Sequence, residues 1–353
     1  MSKVLVTGGA GFIGSHVAEA FARDGHEVVV YDNLSRARML GKSIGDPEHN
    51  WKYLGSLGNV TRIRGDVRDF AALAEAARGA DIMVHAAAQV AVTTSLENPR
   101  EDFEVNALGT FNVLEAARRE DAALLFLSTN KVYGENVNSI PVRELETRYE
   151  FADPRYERGI PEELPVDHTG HTPYGSSKLA ADIYVQDYHH TYGLRTGVFR
   201  MSCIYGTRQF GVEDQGWVAW FAIAAVTGKT ITIYGDGKQV RDVLFVDDLV
   251  DAVRRFAESN VSGVYNIGGG PGNTLSLLEL LSILEDMGLK PSYRFSDWRP
   301  ADQRVYVSDV RRAERELGWR PRIGPREGVG RLVDWVRSNA GLFERAGDSN
   351  PGQ

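Results

Sequence analysis

The 353-residue chain has one cysteine, Cys203. An internal disulfide is excluded, and a lone thiol does not make a structural zinc site, so no metal is expected. This usage fits a reducing compartment, the cytoplasm. Long apolar runs are missing too. None approaches the roughly 18 residues that suggest a membrane span, and Lys3 is followed by a strand and a glycine turn where a signal peptide would carry its apolar core. Positive charge is in deficit, with 40 Lys and Arg against 48 Asp and Glu and a formal net charge of −8. That argues against a nucleic-acid surface, which is normally basic, and leaves room for a local basic pocket that takes a phosphate. No internal repeat is visible. The tail 346–353 reads as disordered.

What is present is an alternation. Short apolar runs at 3–7, 27–31, 60–64, 82–86 and 123–128 read as strands, and 14–24, 70–78 and 103–119 as helices. This is the βαβ rhythm of an α/β fold, a Rossmann-type doubly wound parallel sheet. Residues 135–172 break the rhythm with Pro141, Pro154, Pro161 and Pro165 and read as a long functional loop. A helix over 174–192 and a strand over 197–200 follow. After residue 200 the pattern mixes glycine-rich turns with amphipathic helices at 275–287 and 310–317. The expected division is a dinucleotide-binding domain over 1–200 and a smaller C-terminal substrate domain over 201–345, with 241–267 returning to the first.

The first strand runs into Thr7-Gly8-Gly9-Ala10-Gly11-Phe12-Ile13-Gly14. Glycines at 8, 11 and 14 let the backbone turn tightly and approach a pyrophosphate, which the next helix meets with amide donors and a favourable dipole. Asp32 ends the second strand, 18 residues after Gly14, where a carboxylate accepts from ribose hydroxyls and repels a 2′-phosphate. NAD is therefore expected over NADP, although Arg36 and Arg38 follow closely. Asn33, Asp66 and Val67 close the adenosine side, and Ala86-Ala87-Ala88 are small enough to let the cofactor pass.

Tyr174-Gly175-Ser176-Ser177-Lys178 opens a helix, and positions i and i+4 share a face. A free phenol titrates near 10, too high for a base at neutral pH, and a neighbouring ammonium lowers that value. Tyr174 beside Lys178 can then exchange a proton with a sugar hydroxyl, and Thr129, ending a strand, can bind the same oxygen. A lone Tyr-x-x-x-Lys is a frequent accident; downstream of this glycine loop it reads as catalytic.

The Gly8–Gly14 loop, Thr129, Tyr174 with Lys178, and Asn106 in Asn-Ala-Leu-Gly-Thr together resemble the extended short-chain dehydrogenase/reductase family over about residues 3–340. The resemblance implies bound NAD, cofactor positioning by Asn106, a nucleotide-sugar substrate, and a homodimer packed through helices that carry Phe111, Leu114, Ile183 and Val185. Sugar 4,6-dehydratases of that family carry Asp-Glu after the threonine, and 4-epimerases carry small or apolar residues; here Asn130-Lys131 stand there. Gly216 and Trp217 fall where 4-epimerases present an asparagine pair. Within the family, the segments 89–95, 128–134, 214–218, 237–244 and 302–305 resemble the epimerases that invert CDP-linked sugars at C2. The resemblance implies phosphate contacts from Arg241 and Arg299 and places Gln89, Thr94, Asn130, Lys131, Gln215, Trp217 and Asp302 near the substrate. A 4-epimerase and a non-catalytic NAD-binding sensor are the rival readings; an intact Thr129, Tyr174 and Lys178 set counts against the sensor.

Overall fold

A computed structural model describes residues 1–36, 46–299 and 302–343. Arg38 and the tail 346–353 lie outside the described residues. Seven strands form one sheet in the order Gly263–Ile267, Thr196–Met201, Ala123–Thr129, Ile82–His85, Lys3–Thr7, Glu27–Asp32 and Val60–Arg64, every pair parallel. Both faces are covered, which is why the inner strands are apolar throughout rather than alternating. Val4 and Val6 face one core with Phe12–Arg23 and Val246–Glu258; Leu5 faces the other with Phe70–Ala77, Gly109–Glu120 and Thr172–Tyr192. The edge strand Val60–Arg64 exposes Thr61, Arg62 and Arg64, a polar rim that discourages further pairing. The strand order reverses between Lys3–Thr7 and Ile82–His85, and a crevice opens there at the strands' carboxyl ends.

The C-terminal half builds a second, smaller layer. Val240–Phe245 pairs with Thr274–Ser276, Val305–Tyr306 and Cys203–Tyr205, and Thr230–Tyr234 pairs with Ser292–Ser296. Trp217–Thr227, Leu277–Asp286 and Pro325–Ser338 share a core with these strands. The chain then crosses back: Val246–Glu258 packs on Phe12–Arg23 and Gly263–Ile267 becomes an edge of the large sheet. The strand Val240–Phe245 itself stays in the smaller sheet.

Two local readings change. The helix expected from residue 103 starts earlier, at Pro99, with Asn98 capping it through Glu101 N. It passes through a π-turn, Glu104–Leu108, before continuing as Gly109–Glu120. Residues 135–172 are not structureless. Val142–Glu144 and Tyr149–Phe151 form a hairpin, pinned by Tyr149 N to Lys238 O at 2.9 Å and by Arg148 to Glu279 at 2.7 Å. Such short strands have little stability of their own; Tyr149 packed on Val240, Val305 and Val307 supplies it.

Candidate active site

The crevice is a cavity of about 690 Å³ running from the glycine loop to Tyr174 and Lys178. At one end the backbone makes the geometry. Gly8 has φ +65°, and a Cβ there would lie 2.5 Å from Ala87 N; at Gly14 it would lie 2.2 Å from Gly8 O. Only glycine allows that turn and that approach. Gly11 precedes the helix Phe12–Arg23 and has no side chain to cap it, so first-turn amides at Phe12, Ile13 and Gly14 face the crevice as donors for an anion. Asp32 accepts from Ala10 N at 2.9 Å and Leu34 N at 2.7 Å. Burial raises its pKa and these two amides pull it back. Asn33 donates to Asp66 at 2.9 Å, and Arg68 grips the same carboxylate at 2.7 Å; the Arg68 bonds hold Asp66 well below the usual carboxylate range. Val67 and Ala86–Ala88 line the wall. A glycine cradle, uncapped helix amides and a carboxylate ending the second strand fit a dinucleotide.

At the other end Tyr174 and Lys178 lie on the first turns of Thr172–Tyr192, both buried. Burial pushes the Tyr174 phenol up to about 12, against a hydrogen bond with Thr129 that lowers it. Lys178 does not reach out to the phenol as its spacing suggested: its Nζ donates to Leu127 O at 2.7 Å and sits 4.1 Å over the Phe126 ring. Burial lowers Lys178 to about 7, with Asp182 and Asp102 raising it. Asn106, fixed in the π-turn, accepts from Gln89 N at 2.9 Å and donates to Ser177 at 3.1 Å, tying the loop after Ile82–His85 to the tyrosine helix.

Thr129 and Asn130 are buried at the end of their strand. Lys131 falls among Arg241, Asp302 and Cys203; burial is the main cause that lowers it to about 8. Arg241 pairs with Asp302 at 2.7 Å, and Trp217 Nε1 donates to Cys203 Sγ at 3.4 Å. These residues form one cluster. Arg299 stands at its rim, 3.9 Å over the Tyr234 ring and 2.7 Å from Asp214. Thr94 lines the crevice. Two of the substrate candidates are already engaged elsewhere. Gln89 spends its amide on Asp102 and Ala91, and Gln215 accepts from Arg36 at the crevice wall.

Sequence reasoning missed Asp102 and His85. His85 bridges Thr7 at 2.6 Å and Thr110 at 2.9 Å, and burial lowers it to about 3, so it is a neutral strut at pH 7. Asp102 stands four residues before Asn106, a spacing that puts the two on one helix face, and that was the available signal.

A parallel doubly wound sheet with a dinucleotide cradle and a buried Tyr–Lys pair defines a nicotinamide-dependent enzyme of the short-chain dehydrogenase type. The profile of the NAD dependent epimerase/dehydratase family matches residues 4–268. A CDP-paratose 2-epimerase of Salmonella typhi is 42% identical over 351 residues, 95% of this chain and 99% of the relative. A UDP-glucose 4-epimerase of Mycolicibacterium smegmatis is 31% identical over 96% of this chain and 99% of the relative. The solved UDP-glucose 4-epimerase of Thermus thermophilus, in complex with NAD, superposes with a TM-score of 0.78 at 34% identity, covering 96% of this chain and 99% of that one. The chain belongs to the NAD dependent epimerase/dehydratase family, and its cofactor is NAD.

Proposed function

We propose that this enzyme inverts a CDP-linked hexose at C2, turning CDP-paratose into CDP-tyvelose, with CDP-glucose to CDP-mannose as a second pair if the pocket accepts hydroxyls at C3 and C6. The observation that carries this reading is the likeness to a CDP-paratose 2-epimerase, 42% against the 31% of a UDP-glucose 4-epimerase at similar coverage. The cluster of Lys131, Arg241 and Asp302 beside Thr129 supports it, because it replaces the acid pair a dehydratase needs with a cation suited to an oxyanion or phosphate.

The C2 hydrogen of a nucleotide sugar is not acidic, having no carbonyl beside it, so the route that uses the NAD site inverts C2 through a transient 2-keto sugar. NAD supplies the reversible two-electron acceptor for that oxidation when bound between the glycine loop and Lys178. Tyr174, hydrogen-bonded to Thr129, takes the proton of the C2 hydroxyl and later returns it. Its high proton affinity suits the return step. Arg241 and Arg299 hold the diphosphate while Trp217 and Lys131 bound the space in which the keto sugar turns its other face. The same reading includes a cytoplasmic homodimer. Phe111, Ile183, Tyr184 and Tyr192 stand exposed on the helices Gly109–Glu120 and Thr172–Tyr192, whereas Leu114 and Val185 are core.

The test is incubation with CDP-paratose, CDP-glucose and UDP-glucose in heavy water, followed by product NMR. Inversion at C2 with no deuterium entering there is expected. A product inverted at C4 moves the enzyme to the 4-epimerases, and solvent deuterium at C2 rules out the oxidative route. NAD bound without turnover of any sugar favours the sensor.

A further inference from the structure

Between the strand Cys203–Tyr205 and the helix Trp217–Thr227 the chain leaves the smaller layer and runs along the cofactor crevice. Arg208, Phe210 and Gln215 of this segment line the same cavity as Gly11 and Asp32. Its first half is anchored firmly. Arg208 pairs with Glu19 at 2.7 Å, both side chains mostly buried, and lies 4.6 Å over the Tyr53 ring. Thr207 Oγ1 meets His16 Nε2 at 3.2 Å, and the Phe210 ring packs edge-on against Trp335 in the smaller core. Breaking a buried ion pair leaves a charge without compensation, so this half stays in place.

The second half is held differently. Val212 and Gln215 close a turn with a backbone hydrogen bond each way at 2.9 Å. Gly216 leaves the turn at φ +75°, a left-handed conformation that glycine adopts without strain. The turn meets the other wall through Arg36, four residues beyond Asp32. The Arg36 guanidinium donates to Gln215 Oε1 and, at 3.4 Å, to Phe210 O. Arg36 and both acceptor residues line the cavity, so these bonds tie two of its walls together. Both acceptors are neutral. When the contact opens, the guanidinium and the amide recover water, and no buried charge is stranded. One end of the segment is a fixed anchor and the other a catch that can release.

We propose that Arg36 and Gln215 form a clasp that controls the exchange of NAD. Closed, it joins the wall that carries Asp32 to the wall that carries Phe210, and the cofactor leaves only after the contact opens. The pair acts through closure of the crevice and takes no part in the chemistry. An enzyme that returns its hydride to the sugar regains NAD in every cycle, so slow exchange does not hinder it. That use of the clasp rests on the epimerase reading; the clasp itself does not.

The experiment starts from purified enzyme carrying its NAD. An excess of deuterated NAD is added, and mass spectrometry of the protein-bound cofactor follows the replacement over time. Gln215→Leu removes the acceptor and Arg36→Met removes the guanidinium while keeping an unbranched stem. Each should speed exchange about tenfold, the scale of one hydrogen bond to a charged group. The double variant should exchange no faster than either single one, because both break the same contact. Gln215→Asn, which keeps an amide in the turn but shortens its reach, should also exchange faster and serves if Gln215→Leu folds poorly. Parent-like exchange in the Gln215 variants overturns the proposal, including the case in which Arg36→Met alone loses NAD and is thereby a direct ligand of the cofactor. A double variant whose gain is the product of the single gains overturns it too, since the two residues then act independently. No sugar is present in the chase, so its result stands whichever carbon the enzyme inverts, and product NMR decides that question separately.

Discussion

The two ends of the candidate site are built differently. The glycine-loop end is backbone: Gly8 and Gly14 pressed on Ala87 N and Gly8 O, and amides at the start of Phe12–Arg23. The proposed sugar end, beyond the crevice's own lining, is made of side chains drawn from five separate segments, Lys131, Cys203, Trp217, Arg241 and Asp302. The first end tolerates almost no added atom and fixes a ligand common to the family. The second is held by ion pairs and hydrogen bonds, whose partners can be exchanged without refolding the chain, and this is where relatives with one cofactor can diverge in substrate.

That contrast can be broken by substitution. The largest effect is expected where the two ends meet: Tyr174→Phe should lower turnover by about 100- to 10,000-fold while calorimetry shows NAD still bound. Loss of NAD binding along with turnover would make Tyr174 part of the cofactor cradle only. Next is Gly8→Val. The left-handed φ and the contact with Ala87 N should cost about 1–3 kcal/mol through overpacking and remove NAD binding, seen as a lower melting temperature and no calorimetric signal. Retained NAD affinity would show the loop to be looser than its geometry.

At the sugar end, Arg241→Ala strands Asp302 in a mostly buried place. Truncating one partner of such a pair costs ~2 kcal/mol or more, about 30-fold, and it should fall on the nucleotide-sugar Kd with NAD affinity unchanged. An equal loss of NAD affinity would merge the two ends into one unit. Lys131 gives a pH signature. Its folded value, about 8, lies below the unfolded value of about 10.4. Between those values the unfolded chain binds the proton and the folded chain does not, so stability rises with pH there, and below about 8 the full penalty is present. Lys131→Met should therefore melt higher than the parent at pH 7, with the gain vanishing by about pH 10 to 11, near the unfolded value, and bind the nucleotide sugar less well. A gain that does not vary with pH would place Lys131 in solvent. The smallest effect is expected from Arg299→Ala. Its pair with Asp214 is half in solvent, and exposed pairs contribute about 0–1 kcal/mol, so KM should rise only a few-fold with the melting temperature unchanged.

Much of the first end was legible because its constraints are local. Three glycines spaced by three, a strand before and a helix after, and an acid at Asp32 all act within one βαβ unit. Tyr174 and Lys178 share a helix face for the same reason, yet the direction of the Lys178 ammonium was not legible: it depends on Leu127 O and the Phe126 ring, 51 residues away in the first case. Gln89 and Gln215 show the same limit. Their segments were marked by resemblance, but Asp102 and Arg36 had already engaged their amides.

The sequence by itself determined the parallel sheet, the glycine cradle for NAD and the placement of Tyr174 and Lys178 on one helix, because hydrophobic period, glycine spacing and the i,i+4 rule operate over a few residues at a time. Only the tertiary structure decided that Asp102 gathers hydrogen bonds from Ser177 and Gln89, that the hairpin Val142–Glu144 and Tyr149–Phe151 is ordered, and that Arg241 pairs with Asp302. Each of those is a pairing of groups far apart in the chain, in which burial sets the strength of the charge and the packing of other elements selects the partner.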